Sequence, residues 1–316
     1  MSAMAPAPPS TPPPGGGVDG QMVAGSGLLV RYANFVKLPH TLFALPFALV
    51  GVVLGSYRAD VTIGTVGWVV VAFTAARFAA MGFNRIADRA YDARNPRTAM
   101  REIPSGLMSV REASVAVGIA GLVFLAAARM INPLCFALAP LALVWVLFYS
   151  YTKRFTRWSH LVLGLGLGIA PVGGYLAVSG VWGEPWWMLV VLATAVMTWT
   201  AGFDIIYAMQ DAEIDRAEGL HSVPSRMGAA GAFFVSRALH VVTIGSLAAV
   251  GGVMSGGLYY FIGLAIAGGL LVYEQYLASV GRVQKAFFTV NMALSTIFFV
   301  FVLLDRVLPY RPLVSP

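Results

Sequence analysis

Apolar runs of about twenty residues, carrying no charge or one, follow one another along almost the whole chain, and no other feature restricts its fold so severely. An α-helix rises about 1.5 Å per residue, so a run of that length crosses the roughly 30 Å hydrocarbon core of a bilayer with its backbone groups bonded inside the segment. Such runs lie near 38–57, 61–83, 112–131, 134–151, 160–179, 186–207, 231–255, 257–279 and 287–305. They are about twice as long as a barrel strand and lack strict alternation, which excludes a transmembrane barrel. The expectation is an all-α, polytopic membrane protein of nine transmembrane helices. Composition agrees: 58% of the 316 residues are hydrophobic and 11% charged, where a soluble domain carries about 25% charged residues.

The basic residues sort by loop. Sorted by side, only Arg58, Arg129, Arg306 and Arg311 fall on one, Arg77 is left inside a span, and the rest of the 21 Lys and Arg gather on the other. By the positive-inside rule the crowded side is cytoplasmic, which puts the N-terminus inside and the protein in a cell inner or plasma membrane. The net charge of +7 therefore reads as topology and contact with anionic lipid, not as nucleic-acid binding. Residues 1–27, rich in Pro, Gly, Ser and Ala, read as a disordered tail without the basic start and apolar core of a cleaved signal; 28–316 reads as one transmembrane domain. Cys135, the single cysteine, excludes disulfide and thiolate-cluster frameworks and reads as a small buried apolar residue. No protein partner is legible.

Acidic residues are distributed still more unevenly. Asp88, Asp92, Glu102 and Glu112 lie in or beside the loop after the second span, and Asp204, Asp211, Glu213, Asp215 and Glu218 cluster after the sixth. Four spans separate the two stretches, so both emerge on one face. "DRAYDARNPRTAMREIPSG" and "DAEIDRAEGLHSVPSRMG" also align, each giving Asp, three residues, Asp, then a loop with Pro and Gly. This implies two four-helix halves related by an axis along the membrane normal, plus a ninth helix, with a site at their interface.

On a helix, Asn84, Asp88 and Asp92 stand at i, i+4 and i+8 along one stripe; Asp204, Asp211 and Asp215 stand at i, i+7 and i+11, with Tyr207 between them. Carboxylates gathered together repel unless a cation separates them, and hard oxygen ligands select Mg²⁺ or Ca²⁺. Magnesium takes one or two carboxylates and completes its octahedron with water and phosphate oxygens, so two rows suit a diphosphate held by two ions. Arg85, Arg89, Arg97, Arg101, Lys153 and Arg154 surround the rows and suit the remaining anionic oxygens. Either row alone reads equally as a solvated helix end laced by i, i+4 ion pairs. Two matched rows on one membrane face favour function.

At these residues the chain resembles the UbiA superfamily of intramembrane prenyltransferases. The resemblance rests on "NRIADRAYD", on "DIIYAMQDAEID", on the "YTKRFT" loop after the fourth span and on the nine-helix layout, over about residues 31–305. Arg85 stands where many relatives carry Asp. The resemblance implies Mg²⁺-assisted departure of diphosphate from an allylic polyprenyl diphosphate, with attack by an electron-rich aromatic ring. By position in the motifs it assigns Asn84, Asp88 and Asp92 to one ion and Asp211 and Asp215 to the other. Asp204, placed deeper, positions the acceptor or takes its proton. Arg101 and Lys153 match positions that contact diphosphate or acceptor, and Ser222 and Arg226 echo the loop of the first repeat as a lid. A dry cavity with π faces would protect the allylic cation; Phe83, Phe148, Tyr149, Tyr151, Trp199, Phe203 and Tyr207 are the candidates, with Tyr207 foremost.

The first span, "NFVKLPHTLFALPFAL", resembles the branch of the superfamily associated with menaquinone assembly by the futalosine route, whose acceptor is a dihydroxynaphthoate; the more familiar branch prenylates 4-hydroxybenzoate for ubiquinone. Both acceptors are hydroxylated aromatic carboxylates, for which Lys37 and His40 supply charge. His160, His221 and His240 show no metal-ligand spacing and receive no role. Two rival classes remain. A secondary transporter also carries repeats and carboxylates, but near the bilayer midplane. A CDP-alcohol phosphotransferase also carries Asp-x-x-x-Asp, but after a lead-in that this chain lacks.

Overall fold

A computed structural model of the chain describes residues 27–308, without the side chains of residues 38–43. Every regular element described is helical: α1 (Leu28–Phe35), α2 (Leu38–Gly55), α3 (Ile63–Arg94), α4 (Val110–Ile131), α5 (Pro133–Thr152), α6 (Ser159–Ser179), α7 (Trp187–Ala208), a 3₁₀ turn (Met209–Asp211), α8 (Ala212–Ala217), α9 (Val223–Val253), α10 (Leu258–Ser279), α11 (Val283–Lys285), a π turn (Ala286–Val290) and α12 (Asn291–Val307). Eight of the described segments are long and apolar enough to cross a membrane. The 18-residue α2 lies where the first span is expected, and its described apolar stretch, Ala44–Gly55, is shorter than the eight, so the count of nine is approximate. The reading of 1–26 as a tail lies outside the described residues.

Local sequence sets the helix ends. Ser109 and Glu112 form a reciprocal capping box at the start of α4, Thr62 caps α3, and Asn132 caps α5 by accepting from the Cys135 amide. Asp305 on α12 caps its neighbour, accepting from the amides of Gly257 and Tyr260 at the head of α10.

The repeat is visible in the packing. The most extensive contacts pair α3 with α4 and, in the second half, α7 with α9. The lead helices of the halves, α2 and α6, pack backbone to backbone: a Cβ on Gly51 would overlap the Pro171 carbonyl, and one on Gly174 would overlap the Ala48 carbonyl. Without a hydrophobic drive between helices in lipid, such close approach supplies the dispersion that holds the bundle.

The acidic helices outrun the membrane. At 32 residues α3 is about 48 Å long, against a core of roughly 30 Å, so its last turns extend beyond the lipid and carry the first acidic row. The second row differs from expectation: α7 ends at Ala208, a 3₁₀ turn carries Asp211, and α8 carries Asp215. The row is therefore folded, not a continuous stripe. Arg237, grouped with the loop cations, instead lies within α9, its guanidinium 5.5 Å from the Phe233 ring centre.

Candidate active site

The loop after α3 ties the two acidic rows together. Asp211 accepts from Asn95 Nδ2 at 3.0 Å and from Arg97 through both Nε at 2.8 Å and Nη2 at 2.5 Å, a bidentate fork. The remaining Arg97 nitrogen donates to the Tyr207 hydroxyl at 3.0 Å, and the guanidinium lies 5.3 Å from the Tyr207 ring centre. Asp92 accepts from Arg101 at 2.6 Å, and Asp88 accepts from Asn84 at 2.8 Å. At the rim Arg94 grips Glu218, while the His221 amide donates to the Lys153 carbonyl at 2.6 Å. Both rows consequently line one polar cavity of about 180 Å³: Asn84, Asp88 and Asp92 on one wall, Asp204, Tyr207, Asp211 and Asp215 on the other.

Two further cavities share walls with it. One of about 150 Å³ is lined by four cations, Lys37, Arg77, Arg85 and Arg101, by the single carboxylate Asp204, and by Tyr149, Phe203, Tyr207 and Phe287. Asn84, Arg101, Tyr149, Asp204 and Tyr207 belong to both polar cavities. The other, of about 190 Å³, is apolar and bounded by small side chains, among them Ala72, Ala76, Ala80, Ala139, Ala142, Gly166 and Gly173; it shares Arg77, Met81 and Tyr149 with the cationic cavity. Acidic, cationic-aromatic and apolar compartments thus follow one another from the end of the bundle into its interior.

Electrostatics follow from this layout. Burial opposes the charge of Lys153, but Asp215, Asp211, Asp204 and Asp88 outweigh it and raise the ammonium above the usual lysine range. Burial likewise opposes Arg97, and its bonds to Asp211 and Tyr207 outweigh that in the same direction. Lys37 is the contrary case. Burial first, then the positive fields of Arg85, Arg101 and Arg97, bring its pKa down to about 6. It sits at the α1–α2 junction in the left-handed region, φ 47° and ψ 57°, a conformation that costs a non-glycine residue about 1–2 kcal/mol.

Among the described residues no three Asp, Glu, His or Cys side chains form a ready-made metal cage; Asp92 and Asp211 are paired with arginines instead. Within the two rows, two carboxylate oxygens nevertheless stand buried without a hydrogen bond, Asp92 Oδ2 and Asp215 Oδ2, one from each row. An orphaned buried oxygen is costly, and hard oxygen donors of this kind fit a magnesium-type ion that needs only one or two carboxylates.

Several expected site residues are placed differently. Arg89 is exposed and donates to the Ile86 carbonyl. One step beyond Asp88, it is rotated about 100° off the acidic stripe. Arg85 is rotated likewise off Asn84; it is buried, donates to the Phe35 carbonyl at 3.3 Å and lines only the cationic cavity. Arg154 is exposed, stacks between Tyr91 and Tyr151, and stands 3.7 Å from Asp88 outside the cavity wall. Ser222 does not line the site: fully buried, its Oγ accepts from the Ser225 amide as the α9 cap, so Ser-x-x-Ser is a capping box rather than a lid. The side chain of His40 lies outside the described residues. Of the aromatic candidates, Tyr149, Phe203 and Tyr207 line the cavities, Trp199 is buried behind them, and Phe148 and Tyr151 face outward.

Sequence reasoning missed Asn95, Phe287, Arg77 and His160. Arg77 carried a readable signal, a lone cation inside an apolar run. Phe287 packs its ring 4.2 Å from that of Tyr207, and His160 Nδ1 lies 2.7 Å from Asp204 Oδ2; both pairings come from tertiary contact.

Paired acidic motifs over a polar mouth and an apolar interior define a helical membrane protein built around a site that runs from polar to apolar. The UbiA prenyltransferase family model matches residues 44–302. A 4-hydroxybenzoate octaprenyltransferase of Alkalilimnicola ehrlichii is 31% identical over 231 residues, 72% of this chain and 78% of that one. The apo structure of a UbiA homolog from Aeropyrum pernix K1 is 33% identical with a TM-score of 0.78, covering 84% of this chain and 98% of its own. A UbiA homolog from Archaeoglobus fulgidus, bound to GPP and Mg²⁺, shares the fold at 18% identity and TM-score 0.63, over 86% and 98%. The chain belongs to the UbiA prenyltransferase family and is a prenyltransferase.

Proposed function

We propose that the protein transfers the prenyl group of a polyprenyl diphosphate to a hydroxylated aromatic carboxylate, 4-hydroxybenzoate or 1,4-dihydroxy-6-naphthoate, in ubiquinone or menaquinone synthesis. The observation that carries this reading is the order of compartments: an acidic mouth for metal-bound diphosphate, a cationic and aromatic chamber for the acceptor, an apolar cavity for the prenyl chain. The relatives named as 4-hydroxybenzoate octaprenyltransferases support the first acceptor. The cation excess of the acidic mouth's loops supports a cytoplasmic site, and residues 28–316 form one domain in this reading.

Asn84, Asp88 and Asp92 would hold one Mg²⁺ and Asp211 and Asp215 a second. Bound there, magnesium supplies charge withdrawal from the leaving diphosphate. Lys153, Arg97 and Arg101 line the same cavity and bind the non-bridging oxygens, which anchors the donor and stabilises departing charge. Lys37 and Arg77 receive the acceptor carboxylate in the second chamber, whose aromatic walls exclude water from the allylic carbon. Tyr207, held by Arg97, turns its π face to that carbon. As the new carbon–carbon bond forms, the proton released by the acceptor passes to Asp204.

The test supplies purified protein in detergent with labelled geranyl and longer prenyl diphosphates, either acceptor, and Mg²⁺ or chelator. Magnesium-dependent prenylation of one acceptor, lost in Asp88→Ala and Asp211→Ala, is expected. Substrate gradients dissipated across vesicles with no covalent product would overturn the reading in favour of a transporter.

A further inference from the structure

His160 received no role from its sequence position, yet it is 1% exposed and its Nδ1 lies 2.7 Å from Asp204 Oδ2. Its other nitrogen, Nε2, accepts from the backbone amide of Val223 at 3.4 Å. That amide is a first-turn donor of α9, without a carbonyl partner inside its own helix. A backbone N–H only donates, so Nε2 must be the unprotonated nitrogen and the proton resides on Nδ1, directed at the carboxylate. The tautomer is fixed by the main chain.

The pairing is set by helix packing. Gly164 and Gly168 follow His160 at four-residue intervals, so the three share one stripe of α6. A Cβ on Gly164 would overlap the Met197 carbonyl, and one on Gly168 the Ala193 carbonyl. Ala193, Met197 and Asp204 stand at i, i+4 and i+11 on α7, again one face. The helices run antiparallel, so descending α6 from Gly168 to Gly164 to His160 matches ascending α7 from Ala193 to Met197 to Asp204. The two glycine contacts thereby hold the imidazole and the carboxylate at hydrogen-bonding distance.

With Oδ2 engaged by the imidazole, the other oxygen of Asp204 is left to the cavities, both polar chambers counting Asp204 in their walls. We infer that His160 is a positioning residue: it fixes the rotamer of Asp204 so that Oδ1 meets the acceptor, and it links that rotamer through Val223 to the loop that joins the second acidic row to α9. The inference rests on the proposed role of Asp204. Orienting partners of this kind are worth about 10- to 100-fold.

The experiment compares His160→Asn, His160→Gln, His160→Ala, Asp204→Asn and the double variant His160→Ala/Asp204→Asn in steady-state prenyl transfer with 4-hydroxybenzoate and a prenyl diphosphate. An Asn amide nitrogen falls near the place of Nδ1, whereas a Gln amide falls near that of Nε2. The expected result is a fall in kcat of about 10- to 100-fold in the Ala and Gln variants, with KM for the prenyl diphosphate unchanged, and recovery of most of that loss in the Asn variant. The double variant is expected to be no slower than Asp204→Asn, because both changes act on one group. Wild-type kcat in His160→Ala beside an inactive Asp204→Asn overturns the inference alone. Full activity in Asp204→Asn overturns the reading of Asp204 and the inference with it. Equal losses in all three His160 variants, multiplying with the Asp204 change, would mark a merely structural histidine and overturn it too.

Discussion

If Lys37 receives the acceptor carboxylate as proposed, its depressed pKa makes acceptor binding weaken with rising pH in a range far below that of an ordinary lysine. At a pKa of about 6 the ammonium is half populated at pH 6, about a tenth populated at pH 7 and about a hundredth at pH 8. If the acceptor carboxylate binds only the ammonium form, its apparent dissociation constant is the intrinsic one divided by that fraction, so it rises about 50-fold between pH 6 and pH 8. The carboxylate itself stays ionised throughout this range. The proton must also come from solvent: at pH 7 each binding event takes up about 0.9 proton, the deficit of the free enzyme. Isothermal titration of 4-hydroxybenzoate into the protein in nanodiscs, without diphosphate, in buffers of differing ionisation enthalpy, reads both quantities. Lys37→Met should flatten the profile and abolish the uptake, with prenyl diphosphate binding unchanged. A wild-type affinity constant from pH 6 to pH 8, or proton uptake persisting in Lys37→Met, would refute the reasoning.

Four other substitutions separate the site from its surroundings. Arg101→Gln should raise KM for prenyl diphosphate at least about tenfold, the cost of a lost charged hydrogen bond at a buried carboxylate and its ligand, while the exposed Arg89→Gln should stay within about twofold; steady-state kinetics of both checks this. Ser222→Ala removes the α9 cap and should lower stability by about 1 kcal/mol, seen in thermal or denaturant melts, with KM for both substrates unaltered. Ala76→Phe fills part of the 190 Å³ apolar cavity and should shorten the accepted prenyl chain, read by chromatography of products from mixed-length diphosphates.

Where the sequence alone sufficed, one physical period governed the answer. Run length located the spans because lipid admits few alternatives, and the Asn84, Asp88, Asp92 stripe was legible because α3 stays helical throughout. The second row was read as another continuous stripe, but Asp211 lies in a 3₁₀ turn whose period differs, so its direction depends on Asn95 and Arg97 from the other half. Arg85 and Arg89 were judged by charge and proximity in sequence, whereas a one-residue step turns a side chain about 100° away from the stripe. The cap at Ser222 is hard to tell from a ligand loop in sequence because a capping box and a ligand loop use the same residue types. His160 could not be found from spacing, since its meaning arises only when Gly164 and Gly168 bring α6 against α7.

The reciprocal seating of Gly51 and Gly174 has a mechanical consequence. At Gly51 and Gly174 only a hydrogen atom fits against the facing Pro171 and Ala48 carbonyls, so α2 and α6 are seated on each other at two points. Transporters of repeated architecture work by rocking one half against the other. In this protein two such seats join the lead helices of the halves, so a rocking motion would have to part both backbone contacts together.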